Sequence, residues 1–449
     1  MKAVSDSIVD RSFAYVPDEL ADGLARARHQ AGWTFIVLPA PIVAAPALVA
    51  AARGAPLVAW SSRALTLVGI GAACELRGAG HGRWRELVAA ARRLEVHAGG
   101  GLVRPRLLGG LAFAPGTADR APWTGFGDAW FMLPRWTYVH DGLHAALVLA
   151  IEARDVLAAS RWHDELAMLR TALATSFTPR PQPPVVSIDA GDREAWRAHV
   201  RAITDAIGRG ECAKIVAARS AVIRLAGEAR AADMLAALDA RHADCVRVLV
   251  KPPGGGALIA ATPERLVQRE GRRVACDALA GSLPRGDDAT ALLASGKERR
   301  EHALVVDAIA SALREMGADV EAVGAPTVRT LRHVMHLHAP IAATLRTDRH
   351  VLELAAALHP TPAVGGTPTP VALDWIASRE SSPRGWYAAP VGWFDLEGDG
   401  ELAVAIRSGL LAGSRAHLWA GAGIVAGSDP ARELAETDVK LRAILGALA

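Results

Sequence analysis

Strand-like runs in this chain come in sets joined by only a few residues. Gly256–Ala261 and Arg265–Arg269 flank the turn Thr262-Pro263-Glu264, and Val391–Asp395, Glu401–Leu411 and Ala416–Gly421 follow one another with no helix between them. Connections this short cannot make a parallel crossover, which needs a dozen residues or more. Helical spacing is grouped as well. It predicts helices over Glu86–Leu94, Trp162–Phe177, Asp192–Arg209 and Asp233–Asp239, and a long one over Ala289–Met316. A last helix is expected over Pro430–Leu448, with Asp429 as N-cap and Pro430 at its first position. Further strands are expected at Thr34–Leu38, Pro56–Trp60, Gly109–Phe113, Ala145–Ile151, Ala213–Ala218 and Cys245–Val250. Grouped rather than alternating elements predict an α+β fold built on large antiparallel β-sheets with flanking helices, not a doubly wound parallel sheet. The Pro-rich stretch Thr178–Pro184 (TPRPQPP) reads as a linker between an N-terminal part, 1–185, and a C-terminal region, 186–449.

Composition narrows the partners. The formal charge is only +3, and basic and acidic residues are interspersed without a lysine or arginine run, so no nucleic-acid or membrane partner is expected. The four cysteines (Cys74, Cys212, Cys245 and Cys276) are scattered with no C-x-x-C, which fits a reduced, cytoplasmic protein better than a disulfide framework or a zinc site. The start MKAVSDSIVDRS carries early acids and no apolar core, so no signal peptide is expected. Ala31–Ala52 is uncharged and long enough to span a bilayer. Pro39, Pro41 and Pro46 break a helix there, and a buried strand plus loop is expected instead. Among the fifty basic residues only Lys2, Lys214, Lys251, Lys297 and Lys440 are lysines. A lysine kept against so strong a preference draws attention, because a buried lysine can lose its proton and act as a base, whereas arginine cannot.

Several acids and lysines admit two readings each. Stepping by three and four from Glu301 gives Leu304, Val305, Ala308 and Ala312, which puts a carboxylate on an apolar face where it needs a metal ion, an arginine or a substrate. The alternative is that Glu298 and Glu301 edge an amphipathic helix in water. The last helix carries Glu433, Glu436 and Lys440 on one side and Leu434, Leu441, Leu445 and Leu448 on the other. A solvated face with a Glu436–Lys440 i,i+4 pair would also explain it. Lys214 shares a strand face with Val216 and Ala218. Buried, it suits a general base; on an edge strand, it keeps its ammonium group in water. His333, His336 and His338 alternate in RHVMHLH with no carboxylate near, which favours hydrogen-bonding roles over metal binding. The glycine runs Gly254–Gly256 and Gly365-Gly366 fit no phosphate or dinucleotide spacing, so no nucleotide is expected.

From about residue 200 onward the sequence resembles the chorismate-utilising enzymes, the family of isochorismate, salicylate, anthranilate and aminodeoxychorismate synthases. The matching segments are AKIVAARS (213–220), ATPERLV (261–267), DALAGSLPRG (277–286), SGKERREHALVVDAI (295–309) and LHPTPAVGGTP (358–368). They continue, in the family's order, with SPRGWYAAPVGW (382–393), ELAVAIRSGLL (401–411), WAGAGIVAGSDP (419–430) and ELAETDVKL (433–441). The N-terminal part is similar more weakly, through GGLAF (109–113) and FMLPRW (131–136).

This resemblance implies an active site in a cleft between sheet and helices, with residues 1–185 a degenerate part of the same fold. It implies one Mg²⁺ held by Glu301 and Glu436, with Glu298 and Glu433 supporting it through water. Lys214 matches the base that activates water for attack at C2 of chorismate, and Glu264 the acid that protonates the departing C4 hydroxyl. Arg407, Tyr387 and Lys440 match residues that bind the substrate's carboxylates, and Gly281, Ser282, Ala363 and Gly421 line the pocket. Lys214 points to water rather than ammonia as nucleophile, and LHPTPAVGGTP resembles the isochorismate synthases most closely. The expected activity is therefore that of an isomerase turning chorismate into isochorismate, as a monomer, for menaquinone, siderophore or salicylate synthesis. The alternatives are a salicylate synthase, which adds pyruvate elimination, and a non-catalytic chorismate-binding paralogue. Two residues depart from the family's pattern. Asp277 stands where glutamate is common, and His338 where an aromatic residue or leucine is usual.

Overall fold

Two wings of antiparallel sheet share the long strand Ala129–His140 in the computed structural model, which describes residues 16–97 and 103–448. On one edge of that strand lies Thr66–Gly78. The first wing continues through Leu57–Ser61, Val246–Lys251, Ala257–Thr262, Ser408–Ala412 and Arg415–Ile424 to Lys214–Leu225. The other edge takes Arg106–Leu111. The second wing continues through Pro390–Asp395, Gly400–Val404, Arg265–Glu270 and Arg273–Pro284 to Val334–Leu345. Among the described residues the ladders are antiparallel, except for the short pairing of Trp33 and Thr34 with Val96 and His97. Strands from both sides of the Thr178–Pro184 stretch pair with each other: Leu57–Ser61 with Val246–Lys251, and Arg106–Leu111 with Pro390–Asp395.

Alternation along the strands explains how the wings close. Val58, Trp60, Val248, Val250, Leu258 and Leu410 of the first wing share one buried cluster with Leu107, Val267, Val391, Phe394 and Leu402 of the second. Each such side chain contributes about 1.5–3 kcal/mol by leaving water. The intervening residues of the first wing, including Leu57, Ala59, Leu249, Ile259 and Leu418, pack outward against helices through Leu48, Trp162, Leu235 and Leu441. The helix Gly296–Glu315 covers the second wing, burying Val305, Ile309 and Leu313.

The short connections do not all make hairpins. Ala257–Thr262 and Arg265–Glu270 lie in different wings, and Pro263-Glu264 carries the chain from one to the other. The expected strand Glu401–Leu411 is two strands, Gly400–Val404 and Ser408–Ala412, broken where the chain crosses back. Arg407 adopts a left-handed conformation there, with φ +49. The two crossings are stitched together by Ala261 N–H donating to the Arg407 carbonyl and Val404 N–H to the Glu264 carbonyl. The long helix expected over Ala289–Met316 is interrupted at Ser295, whose extended backbone ends Ala289–Ala294 and whose hydroxyl caps Gly296–Glu315 through the Glu298 N–H. Residues 31–52 hold the strand Trp33–Pro39 and the short helix Ala45–Ala51, and no described helix is long and apolar enough to cross a membrane.

Candidate active site

The two crossings open into a cavity walled by both wings and two helices. It is lined by Glu264, Gly281, Ser282, Glu301, Ala363, Tyr387, Arg407, Gly421, Glu436 and Lys440, which are ten of the positions singled out from the sequence. Glu298 and Glu433 line an adjoining cavity, which shares Ser282 and Glu436 with the first. Lys214 stands one contact behind the wall, on Glu301.

Lys214 is fully buried. Its strand is not an edge at this point, because Gly366-Thr367 pairs on one side and Arg415–Ile424 on the other. The solvated reading of this lysine is thereby excluded. Its ammonium donates to Glu301 Oε1 at 2.9 Å. Burial works against the charge of Glu301, but Lys214, with help from Lys297 and Lys440, outweighs it and holds the carboxyl below its ordinary value. Removing one partner of so buried a pair costs about 3–5 kcal/mol.

The helix Pro430–Leu448 carries the Glu436–Lys440 pair expected of a solvated face, with Nζ 2.6 Å from Oε1, yet the pair faces the cavity. Lys440 also donates to the Gly421 carbonyl at 2.9 Å. Asp429 caps this helix through the amides of Ala431 and Arg432. Lys297 bridges the two helices, 2.9 Å from Glu433 and 3.4 Å from Glu298. Glu298 also accepts from Ser282 N–H at 3.0 Å. Burial, and then Glu301, push the Glu298 carboxyl up; burial, and then Glu436, do the same for Glu433.

Four carboxylates on two facing helices, Glu298, Glu301 and Glu433 buried and Glu436 half-buried, with burial and a neighbouring carboxylate raising Glu298 and Glu433, form a site that favours a cation. All their donors are oxygen, the chemistry Mg²⁺ prefers. Among the described residues, the acids whose ligand atoms all fall within 4.8 Å of one another are Asp395, Glu397 and Asp399. That turn is already satisfied by Arg104 and by its own amides. The four glutamates are set wider, as suits an ion that keeps waters and shares its shell with a substrate.

Glu264 is 3% exposed at the crossing between the wings. Burial, and then the nearby Asp277 carboxylate, push its carboxyl up to about 8 against the opposing pull of Lys214, Lys440 and Arg407. It therefore carries a proton at neutral pH, as a general acid must.

His336, Gly423 and Arg384 were not singled out as site residues. Arg407 donates to His336 Nε2 at 2.6 Å. Since arginine can only donate, that nitrogen is unprotonated and Nδ1–H faces the Gly281 carbonyl at 3.1 Å. Burial, and then Arg407, hold His336 well below its ordinary value, so the imidazole stays neutral and fixes the guanidinium. A Cβ at Gly423 would fall 2.3 Å from Glu301 Oε1 and 2.9 Å from Lys214 Cε. The bare glycine thus leaves the Lys214 stem against the cavity. The spacing of two in Gly421-Ala422-Gly423 puts both glycines on one strand face, a signal present in the sequence. Arg384 is buried against Glu380 and donates to the carbonyls of Val364 (2.6 Å) and Val216 (2.8 Å), tying the Ala363 loop to the Lys214 strand. Tyr387 stacks on Trp419, with ring centroids 6.2 Å apart, and its hydroxyl would lie 3.1 Å from a Cβ at Gly421.

A family model described as chorismate binding enzyme matches residues 40–449. The salicylate biosynthesis isochorismate synthase of Pseudomonas aeruginosa is 37% identical over 416 residues, 88% of this chain and 85% of that protein. The isochorismate synthase MenF of Bacillus subtilis is 34% identical over 366 residues, 77% of this chain and 75% of that protein. The structure of MenF, the menaquinone-specific isochorismate synthase from Escherichia coli, superimposes with a TM-score of 0.79 at 26% identity, covering 96% of this chain and 99% of that one. The chain belongs to the chorismate-binding enzyme family.

Proposed function

We propose that the protein is an isochorismate synthase, which adds water at C2 of chorismate and expels the C4 hydroxyl. The observation that carries this reading is the placement of a fully buried lysine, one contact behind the cavity wall on Glu301, and of a buried glutamate with a raised carboxyl in that wall, the two groups an exchange of hydroxyl groups needs as base and acid. Once its ammonium, paired with Glu301, has given up a proton to solvent, the neutral amine of Lys214 takes a proton from the attacking water as the new C–O bond forms at C2. Glu264 gives its proton to the C4 oxygen as that C–O bond breaks, so hydroxide never has to leave as an anion. Arg407, aligned by neutral His336, and Lys440 hold the substrate's carboxylates, and Tyr387 closes the wall beside Gly421. Glu301 and Glu436 would hold Mg²⁺, with Glu298 and Glu433 supporting it through water. When bound, the ion would neutralise and orient a substrate carboxylate.

Similarity to relatives named as isochorismate synthases supports this reading over an ammonia-using activity. The test is incubation with chorismate and Mg²⁺ in ¹⁸O-labelled water. Isochorismate carrying the label at C2 is expected. Salicylate with pyruvate, an aminated product with ammonium salts, or isochorismate free of label would each refute it.

A further inference from the structure

Behind the Glu264 turn lies a second cleft, separate from the active cavity. Thr262, Pro263 and Arg265 form one wall, and Asp277, His338 and Glu401 face them. Asp277 and His338 sit diagonally across one ladder, because Leu279 pairs with His338 and Asp277 with Pro340. His338 Nε2 lies 2.8 Å from Asp277 Oδ1, and their side chains are 19% and 14% exposed. A carboxylate only accepts, so the imidazole N–H donates. The two positions that depart from the family's pattern therefore answer each other.

The charges around them leave Asp277 distinct. Glu401, the other carboxylate facing the turn, is paired with Arg265 at 3.0 Å. Arg329 directs its donors to the carbonyls of Pro263 (2.8 Å) and Asp244 (3.2 Å). On the cavity side Glu264 faces Lys214, Lys440, Arg407 and the phenol of Tyr387. His302 lies near His338, and Cys276 is the neighbour of Asp277. After burial, Asp277 is the group that most favours the protonated form of Glu264.

We propose that Asp277 and His338 are positioning residues for Glu264: the Asp277 carboxylate, oriented by the His338 N–H, places a negative charge behind the turn and sets the pH range over which Glu264 can donate. This rests on Glu264 being the acid. A like charge nearby disfavours ionisation, so Asp277 prolongs the donor form toward alkaline pH. His338 offsets part of that charge.

The test is the pH profile of kcat with chorismate. Asp277→Asn keeps the shape and still accepts from His338. Its alkaline limb should move down by about one pH unit, with KM at neutral pH little changed. His338→Leu should move the limb up, and His338→Gln, which keeps a donor, should stay near wild type. The double variant Asp277→Asn/His338→Leu should follow Asp277→Asn, since no charge remains to be offset. A profile for Asp277→Asn that overlays wild type, or one that loses kcat equally at every pH, overturns the proposal. Glu264→Gln separates the two layers. If it turns over normally, the acid assignment falls and this inference with it. If it is inactive while Asp277→Asn is unshifted, the acid stands and only the role of the pair falls.

Discussion

Gly423→Ala isolates the Lys214–Glu301 contact without removing either group. The added methyl would lie 2.3 Å from Glu301 Oε1 and 2.9 Å from Lys214 Cε. Unbonded heavy atoms settle at about 3.5 Å, so the carboxylate oxygen must retreat by roughly 1 Å. The backbone at Gly423 is held by its pairing with Val216 on the strand Lys214–Leu225, so the Glu301 and Lys214 side chains give more readily than the backbone. A displacement of that size at a reacting group costs about a hundredfold in rate, or about 2.7 kcal/mol of barrier. The expected result is kcat lowered by about two orders of magnitude with the melting temperature changed by a few degrees at most. Chorismate turnover followed by chromatography and a thermal melt measure the two. Gly208→Ala is the control. Gly208 ends the helix Arg193–Gly208 with nothing within 4 Å of the added carbon, so activity should be unchanged and stability slightly raised. Wild-type kcat in Gly423→Ala would refute the placement of Lys214 and Glu301 at the reacting centre.

Other consequences can be measured directly. Lys214→Arg keeps the charge but cannot release its proton, and should be nearly inactive; if it kept wild-type kcat, charge alone would be the role. Glu301→Gln and Glu436→Gln should abolish detectable Mg²⁺ binding by calorimetry as well as turnover, and full activity of the wild type in excess EDTA would contradict the metal assignment. Glu264 holds its proton to about 8 in the fold, against an ordinary value of 4.5. The folded state therefore binds more protons between these values, and stability falls as pH rises through them. Glu264→Gln removes that dependence, so its melting temperature relative to wild type should climb between about pH 5 and about pH 9; a constant difference would mean that Glu264 does not titrate in this range.

Much of this arrangement was legible in the sequence, because apolar periodicity reports which face is buried. Glu301 on the Leu304–Val305–Ala308 face is buried, which decides between the apolar-face and solvated-edge readings that its spacing left open. Periodicity is blind to what lies opposite. The Glu436–Lys440 pair has the spacing of a solvated face and points into the cavity because another helix and strand cover it. The crossings at Pro263-Glu264 and Ala405–Arg407 were hidden for a different reason. A two-residue connection looks the same whether the next strand pairs with the last or leaves for another wing, and only long-range pairing decides. His336 was read as a hydrogen-bonding residue, which it is, but its partner Arg407 lies seventy-one positions away and no local pattern names it.

The pairing of Leu57–Ser61 with Val246–Lys251, and of Arg106–Leu111 with Pro390–Asp395, has a mechanical meaning. Cut in the exposed stretch between Thr175 and Thr178, the chain would give two fragments. Neither would own a complete core, since Trp60 and Leu107 come from one and Val248 and Phe394 from the other. Each fragment would present the strand edges that the other lacks. The protein behaves in this respect as a heterodimer whose subunits were never separated, and residues 175–184 act as the leash. A short tether holds its ends at an effective concentration of about millimolar. Two coexpressed fragments must regain by mass action what the leash supplies, and their reassembly would be concentration-dependent where the folding of the intact chain is not.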